Sequence, residues 1–123
     1  MFKTILVAVD IEDGRGILQE LEKRQMRITA AFWFHYEDED EWRFVVVTPD
    51  VEEKGPTALY TMFAAMLNDL SADNRSPLQF PLDRIRPVSP HSLVYKTVKQ
   101  HAGPVGGPVR EGPVLDAYIY KMT

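Results

Sequence analysis

The stretch Arg27–Val51, RITAAFWFHYEDEDEWRFVVVTPDV, decides how the rest of the chain is organised. Two apolar, aromatic-rich runs flank one acidic knot, which predicts a β-hairpin. Folded about Glu39, the ribbon sets Tyr36 against Trp42, Phe34 against Phe44, Phe32 against Val46 and Ala30 against Thr48, all on one side, which is then the core side. The other side carries Thr29, Ala31, Trp33 and His35 against Arg43, Val45 and Val47. That side is half apolar, so a helix or a partner is needed to cover it. A lone hairpin is marginal in water, and other elements must join it.

Downstream, Thr48-Pro49-Asp50 closes the second strand, because proline cannot donate to the ladder. Lys54-Gly55-Pro56 punctuates the chain and places Pro56 at the first position of a helix, where its missing N–H costs nothing. Within that helix Leu59, Phe63, Met66, Leu67 and Leu70 form one apolar stripe, predicted to lie across the hairpin and to end by Ser71. A polar loop over Ser71–Pro81 follows, then a strand within Leu82–Val88 that Pro87 confines to a sheet edge. Ser89-Pro90 reads as an N-cap and first-turn proline opening a short helix through Leu93, Val94 and Val98. The glycine- and proline-rich segment 103–113 is a connector with a short strand around Val109 and Arg110. Val114–Met122 closes the chain as a strand of the main sheet.

Upstream, Ile5–Val9 is a continuous apolar run ended by Asp10, and it reads as a strand or equally as a lead-in without regular structure. Asp10 or Glu12 then opens a helix through Ile17, Leu18 and Leu21 that ends near Lys23–Gln25, its acids and bases suiting the helix dipole. Gly14 and Gly16 each cost a helix interior about 1 kcal/mol relative to Ala, so they mark the first turn or a close approach to the sheet. These elements give an α+β fold, with an antiparallel or mixed sheet built on the central hairpin and covered by two or three helices. A length of 123 residues with no internal repeat is read as one domain, 1–123.

Composition narrows the function classes. Hydrophobic content of 45% with 26% charged residues is globular usage and argues against disorder. No cysteine is present, which removes disulfides, a thiolate nucleophile and cysteine metal sites. No run is long enough for a membrane span, and a cytoplasmic location is the expectation. The net charge of −4 hides an asymmetry: residues 1–83 hold 8 Lys+Arg and 16 Asp+Glu, whereas residues 84–110 hold 5 and none. The positive stretch either meets an anion or is neutralised by the acidic half in the fold.

Residues 1–10 are similar to the opening of universal stress proteins, whose first parallel strand ends in an Asp beside a bound nucleotide. The similarity stops there, since the next strands form a hairpin and no glycine-rich phosphate loop follows. From Asp10 onward the chain resembles an uncharacterised group of short bacterial proteins of unknown function. The resemblance is carried by Glu12-Asp13-Gly14 with Leu18 and Leu21, Ala30-Ala31-Phe32-Trp33, Trp42, Gly55 with Tyr60, Val88-Ser89-Pro90 and Ala117-Tyr118-Ile119-Tyr120. It implies a self-contained domain and carries over no activity, cofactor or site.

The chemistry-bearing residues point to binding rather than catalysis. Glu37–Glu41 lacks the spaced ligands and turn glycine of a calcium loop and reads as a solvated tip that keeps the hairpin from pairing with other chains. His35, His91 and His101 form no metal-ligand spacing, so neither metal nor cofactor is expected. No nucleophile elbow is present, and a nuclease cast from Asp83, Asp116 and Lys96 or Lys99 has no motif behind it. Trp33, His35 and Arg43, placed on the second hairpin face, form a candidate binding set for an anionic or aromatic ligand. Arg84, Arg86, Lys96 and Lys99 are the candidate anion contacts. The leading reading is a non-catalytic binding or protein-interaction module, with Trp33 and Trp42 as exposed aromatics of a dimer or partner interface. The alternatives are a small hydrolytic enzyme and an anion or nucleic-acid binder through 84–110. A pI near 5.3 and the lack of interleaved aromatics weigh against nucleic acid.

Overall fold

A computed structural model of the chain describes residues 5–72, 80–102, 111–114 and 116–122. The α+β reading holds. Five strands form one mixed sheet in the order β3-β2-β1-β5-β4, where β1 is Ala30–Tyr36, β2 Glu41–Val47, β3 Ile85–Val88, β4 Gly112–Val114 and β5 Ala117–Met122. Helices α1 (Ala8–Lys23), α2 (Asp50–Lys54), α3 (Pro56–Ser71) and α4 (Leu93–His101) complete it. Strand β1 pairs antiparallel with β2 and β5, and β3 lies parallel to β2 after the crossover through α2 and α3.

The hairpin forms, but one residue out of the expected register. Ala30 pairs with Val47, Phe32 with Val45, Phe34 with Arg43 and Tyr36 with Glu41. The cause is the loop. Two overlapping turns, with Glu39 N–H donating to Tyr36 O and Asp40 N–H to Glu37 O, make an even loop of residues 37–40. Asp40 closes it in the left-handed region at φ 48°, a conformation Asp tolerates better than most residues. Because side chains alternate, a slip of one turns β2 over relative to β1. Trp33 therefore faces Phe44, His35 faces Trp42 and Ala31 faces Val46.

Both faces of the sheet are buried. On one, Ala31, Trp33, Phe44, Val46 and Ile85 meet Ile17, Leu18 and Leu21 of α1 and the expected stripe of α3, Leu59, Phe63, Met66 and Leu67. On the other, Ala30, Phe32, Val45, Val47, Ala117 and Ile119 lie under Tyr95 and Val98 of α4. Gly14 sits where α1 touches the sheet, with Tyr120 and Trp33 directly beneath it, whereas Gly16 faces open space. The close approach is tied by hydrogen bonds: Trp33 Nε1–H donates to Tyr120 Oη at 3.0 Å, and that hydroxyl donates to the Ile11 carbonyl.

The expected strand Ile5–Val9 is absent. Ala8 and Val9 already belong to α1, and Ile5–Val7 pairs with no strand among the described residues. Asp10 falls in the first helical turn, where a carboxylate favours the dipole and starts the helix earlier than the apolar run suggests. The N-cap of α4 is Ser92, whose hydroxyl accepts from Tyr95 N–H; Ser89 caps the preceding turn by accepting from His91 N–H. The third strand begins only at Ile85, after a 3-10 turn over Leu82–Arg84. Residues 73–79 of the expected polar loop and the strand expected around Val109 and Arg110 lie outside the described residues.

Each edge strand carries a proline. Val88 O accepts from Thr48 N–H, so Val88 turns its backbone toward β2 and Pro87, one residue earlier, turns outward. Its missing N–H thus falls on the free edge of β3. Pro113 sits in the middle of three-residue β4 at the opposite edge. Such short, proline-bearing edges resist pairing with another strand.

Candidate binding cleft

The seven residues expected to bind are dispersed. Trp33 is wholly buried, so the expectation of an exposed indole is corrected: α1 and α3 cover the face of β1 that carries it. His35 shares that face and is also buried, its Nε2–H donating to Asp40 Oδ1 at 2.8 Å. Arg43 pairs with Phe34 and therefore stems from the opposite face, so the expected trio does not assemble. Arg84 lies over the Trp33 ring at 4.7 Å and the Phe80 ring at 5.2 Å. Arg86 lies over Tyr36 at 4.4 Å, on the other side of the sheet. Lys96 and Lys99 stand exposed on α4, Lys99 over the Tyr95 ring at 5.5 Å.

Acids from the first half meet Arg84, at the end of the 3-10 turn, and Arg86 of β3. Arg84 Nη1 donates to Asp10 Oδ1 at 3.0 Å, and Arg86 Nη2 approaches Glu39 Oε1 at 3.7 Å. The two arginines of the positive stretch that lie at the sheet are thus met by carboxylates, whereas Lys96 and Lys99 stand exposed on α4. The nuclease cast also separates, since Asp83 lies beside Arg43 while Lys96 and Lys99 belong to the helix under the other face.

What the fold does bring together is a two-lobed cleft at the hairpin-tip end of the sheet. One lobe, about 270 Å³, is lined by Ile5, Asp10, Trp42 and Arg84; the other, about 470 Å³, by Tyr60, Leu82 and Arg86; both contain Arg43 and Asp83. Arg43 divides them. Its Nη1 donates to the Asp83 carbonyl at 2.7 Å and its Nη2 to Glu39 Oε2 at 2.8 Å, with Glu41 also within ion-pair reach. The bond from Arg43 holds the Glu39 carboxyl below its ordinary value.

Asp13, one turn after Asp10 on α1, is pushed the other way. Burial raises its carboxyl, the charge of Asp10 adds to the effect, and Arg84 only partly offsets it. A raised carboxyl is less stable when ionised in the fold. The penalty is absent below its ordinary value of 3.8 and grows as pH rises through the folded value. Asp13→Asn is expected to stabilise the protein at pH 7 by less than about 1 kcal/mol, after solvent screening, and to lose that advantage below about pH 4. Urea unfolding at both pH values checks this; equal stability at pH 7 would remove the strain from Asp13.

Among the described residues, no group of three His, Asp or Glu side chains is placed to hold a metal ion. No helix among them is long and apolar enough to cross a membrane. No family model, no curated protein and no solved structure matches the chain.

Sequence reasoning had Trp42 and the arginines, but not Asp10, Asp83 or Tyr60 as their neighbours. The pairing of Asp10 with Arg84 spans 74 positions and leaves no local signal.

Proposed function

We propose that residues 1–123 form a single domain acting as a non-catalytic interaction module, and that the rim of the two-lobed cleft is its docking face. The supporting observation is a run of exposed branched aliphatics that begins at Ile5, which lines one lobe, and continues into the start of α1. Ile5, Val7 and Val9 are 79%, 48% and 61% exposed, while Leu6 between them packs against the core. Exposed apolar side chains beside Trp and Arg are the combination that carries most interface energy. Strand addition is disfavoured by Pro87 and Pro113, which leaves side-chain docking to a protein partner or a second copy as the mode of association.

The test is Ile5→Asp with Val9→Asp. Both side chains face solvent, so thermal stability is expected to stay near that of the unsubstituted protein. Self-association in light scattering, or recovery of a partner that survives nuclease, is expected to fall at least about tenfold. Unchanged association would remove this face from consideration.

One observation favours a second reading, a small hydrolytic enzyme: a carboxyl raised by burial stands next to the cleft. Turnover of an ester or phosphoester that disappears in Asp13→Asn would support the enzyme over the module. The third reading, an anion or nucleic-acid binder, is weakened by the carboxylates on Arg84 and Arg86.

A further inference from the structure

Resting on the docking face proposed above, we infer that its partner is a basic, leucine- or valine-bearing segment of another protein. The inference comes from charge around a cavity with an apolar rim. Residues 37–41 supply five carboxylates at the hairpin tip, Asp10 and Asp83 line a lobe, and Asp13 stands one helical turn after Asp10 on α1. Among the described residues that line the lobes, the cations opposing them are Arg43, Arg84 and Arg86.

The arginines are already engaged. Arg43 carries Glu39 and Glu41, Arg84 carries Asp10, and Arg86 approaches Glu39. An incoming anion would have to displace a carboxylate and would meet the remaining negative charge. A lysine or arginine meets the surplus directly, and it relieves Asp13, whose ionised form is disfavoured first by burial and then by the charge of Asp10. Glu37 and Asp38 are exposed and extend the negative field beyond the cleft, where it accelerates encounter with a basic partner. Ile5, Val7 and Val9 then take the partner's apolar side chains. A second copy of this chain is a poor occupant, because two such acidic ends repel one another.

The experiment titrates the full chain with an amphipathic peptide of leucine and lysine, with its leucine–glutamate counterpart, and with a single-stranded oligonucleotide. The fluorescence of Trp42, which lines a lobe, is followed. The lysine peptide is expected to bind, and its affinity to fall about tenfold between low salt and about 0.5 M salt. Glu37→Lys with Asp38→Lys, at exposed tip positions, is expected to weaken it about tenfold without altering thermal stability. Ile5→Asp with Val9→Asp is expected to weaken it as well. Preference for the glutamate peptide or the oligonucleotide, or indifference to the tip charges, overturns the inference. If a partner is lost in the Ile5/Val9 variant yet ignores salt and tip charge, the docking face stands and its basic specificity falls. If neither variant changes any association, both fall.

Discussion

Trp33→Ala is expected to lower the free energy of unfolding by about 3–5 kcal/mol, the range for removing a large aromatic from a packed core. The indole is fully buried between Phe44, at a ring-centroid distance of 5.5 Å, and Phe80 at 5.8 Å, with the Arg84 guanidinium above it. Truncation leaves a cavity, strips Arg84 of its stacking surface and leaves Tyr120 Oη without its donor. Against a total stability on the order of 5–15 kcal/mol, the variant stands near the limit of folding. Trp33→Phe keeps much of the volume and is expected to recover part of the loss. Urea unfolding followed by circular dichroism checks both. A cost below about 1 kcal/mol for Trp33→Ala would show that the sheet and α1 hold together without the indole. Any change in self-association in this variant reports unfolding, because the side chain has no surface to offer a partner.

The second large effect is at Gly14. A Cβ built there lies 2.6 Å from Tyr120 Oη, 2.7 Å from Trp33 Nε1 and 3.1 Å from Phe44 Cε2. The Tyr120 hydroxyl is the end of a side chain, but it is not free to swing away. It accepts from Trp33 and donates to Ile11, and burial pushes its phenol pKa well above the ordinary value. Gly14→Ala must therefore lift α1 or break these bonds, at a cost of about 2–3 kcal/mol after the roughly 1 kcal/mol that alanine returns in helix propensity. Gly16, two residues on, has nothing within 4 Å of an added Cβ. Gly16→Ala is expected to stabilise the same helix by about 0.5–1 kcal/mol. Opposite signs in one helix separate packing from propensity; two gains would mean that α1 does not press on the sheet at Gly14.

Much of the architecture is written in short-range chemistry. Pro56 at the first helical position and the Leu59-Phe63-Met66-Leu67 stripe are properties of neighbouring residues, and α3 runs over Pro56–Ser71 as that chemistry implies. The aromatic runs on either side of the acidic knot were bound to pair as strands, and Pro87 was bound to an edge, because only there does its missing donor cost nothing. The register was not legible in this way. It turns on whether the tip holds an odd or an even number of residues, and Asp40 entering the left-handed region settles that by forming a local turn whose energy no hydrophobic pattern encodes. From that single slip follow the pairing of Trp33 with Phe44 and of His35 with Trp42, and the separation of Arg43 from His35. The cleft depends on still longer-range events. Asp10 meets Arg84 across 74 positions and Trp33 meets Tyr120 across 87, and such pairs form only after helices and sheet have packed. Residue types and local order are properties of the chain, whereas the pairing of Arg84 and Arg86 with acids and the exposure of Ile5, Val7 and Val9 are properties of the packed molecule, where each surface competes for the same core.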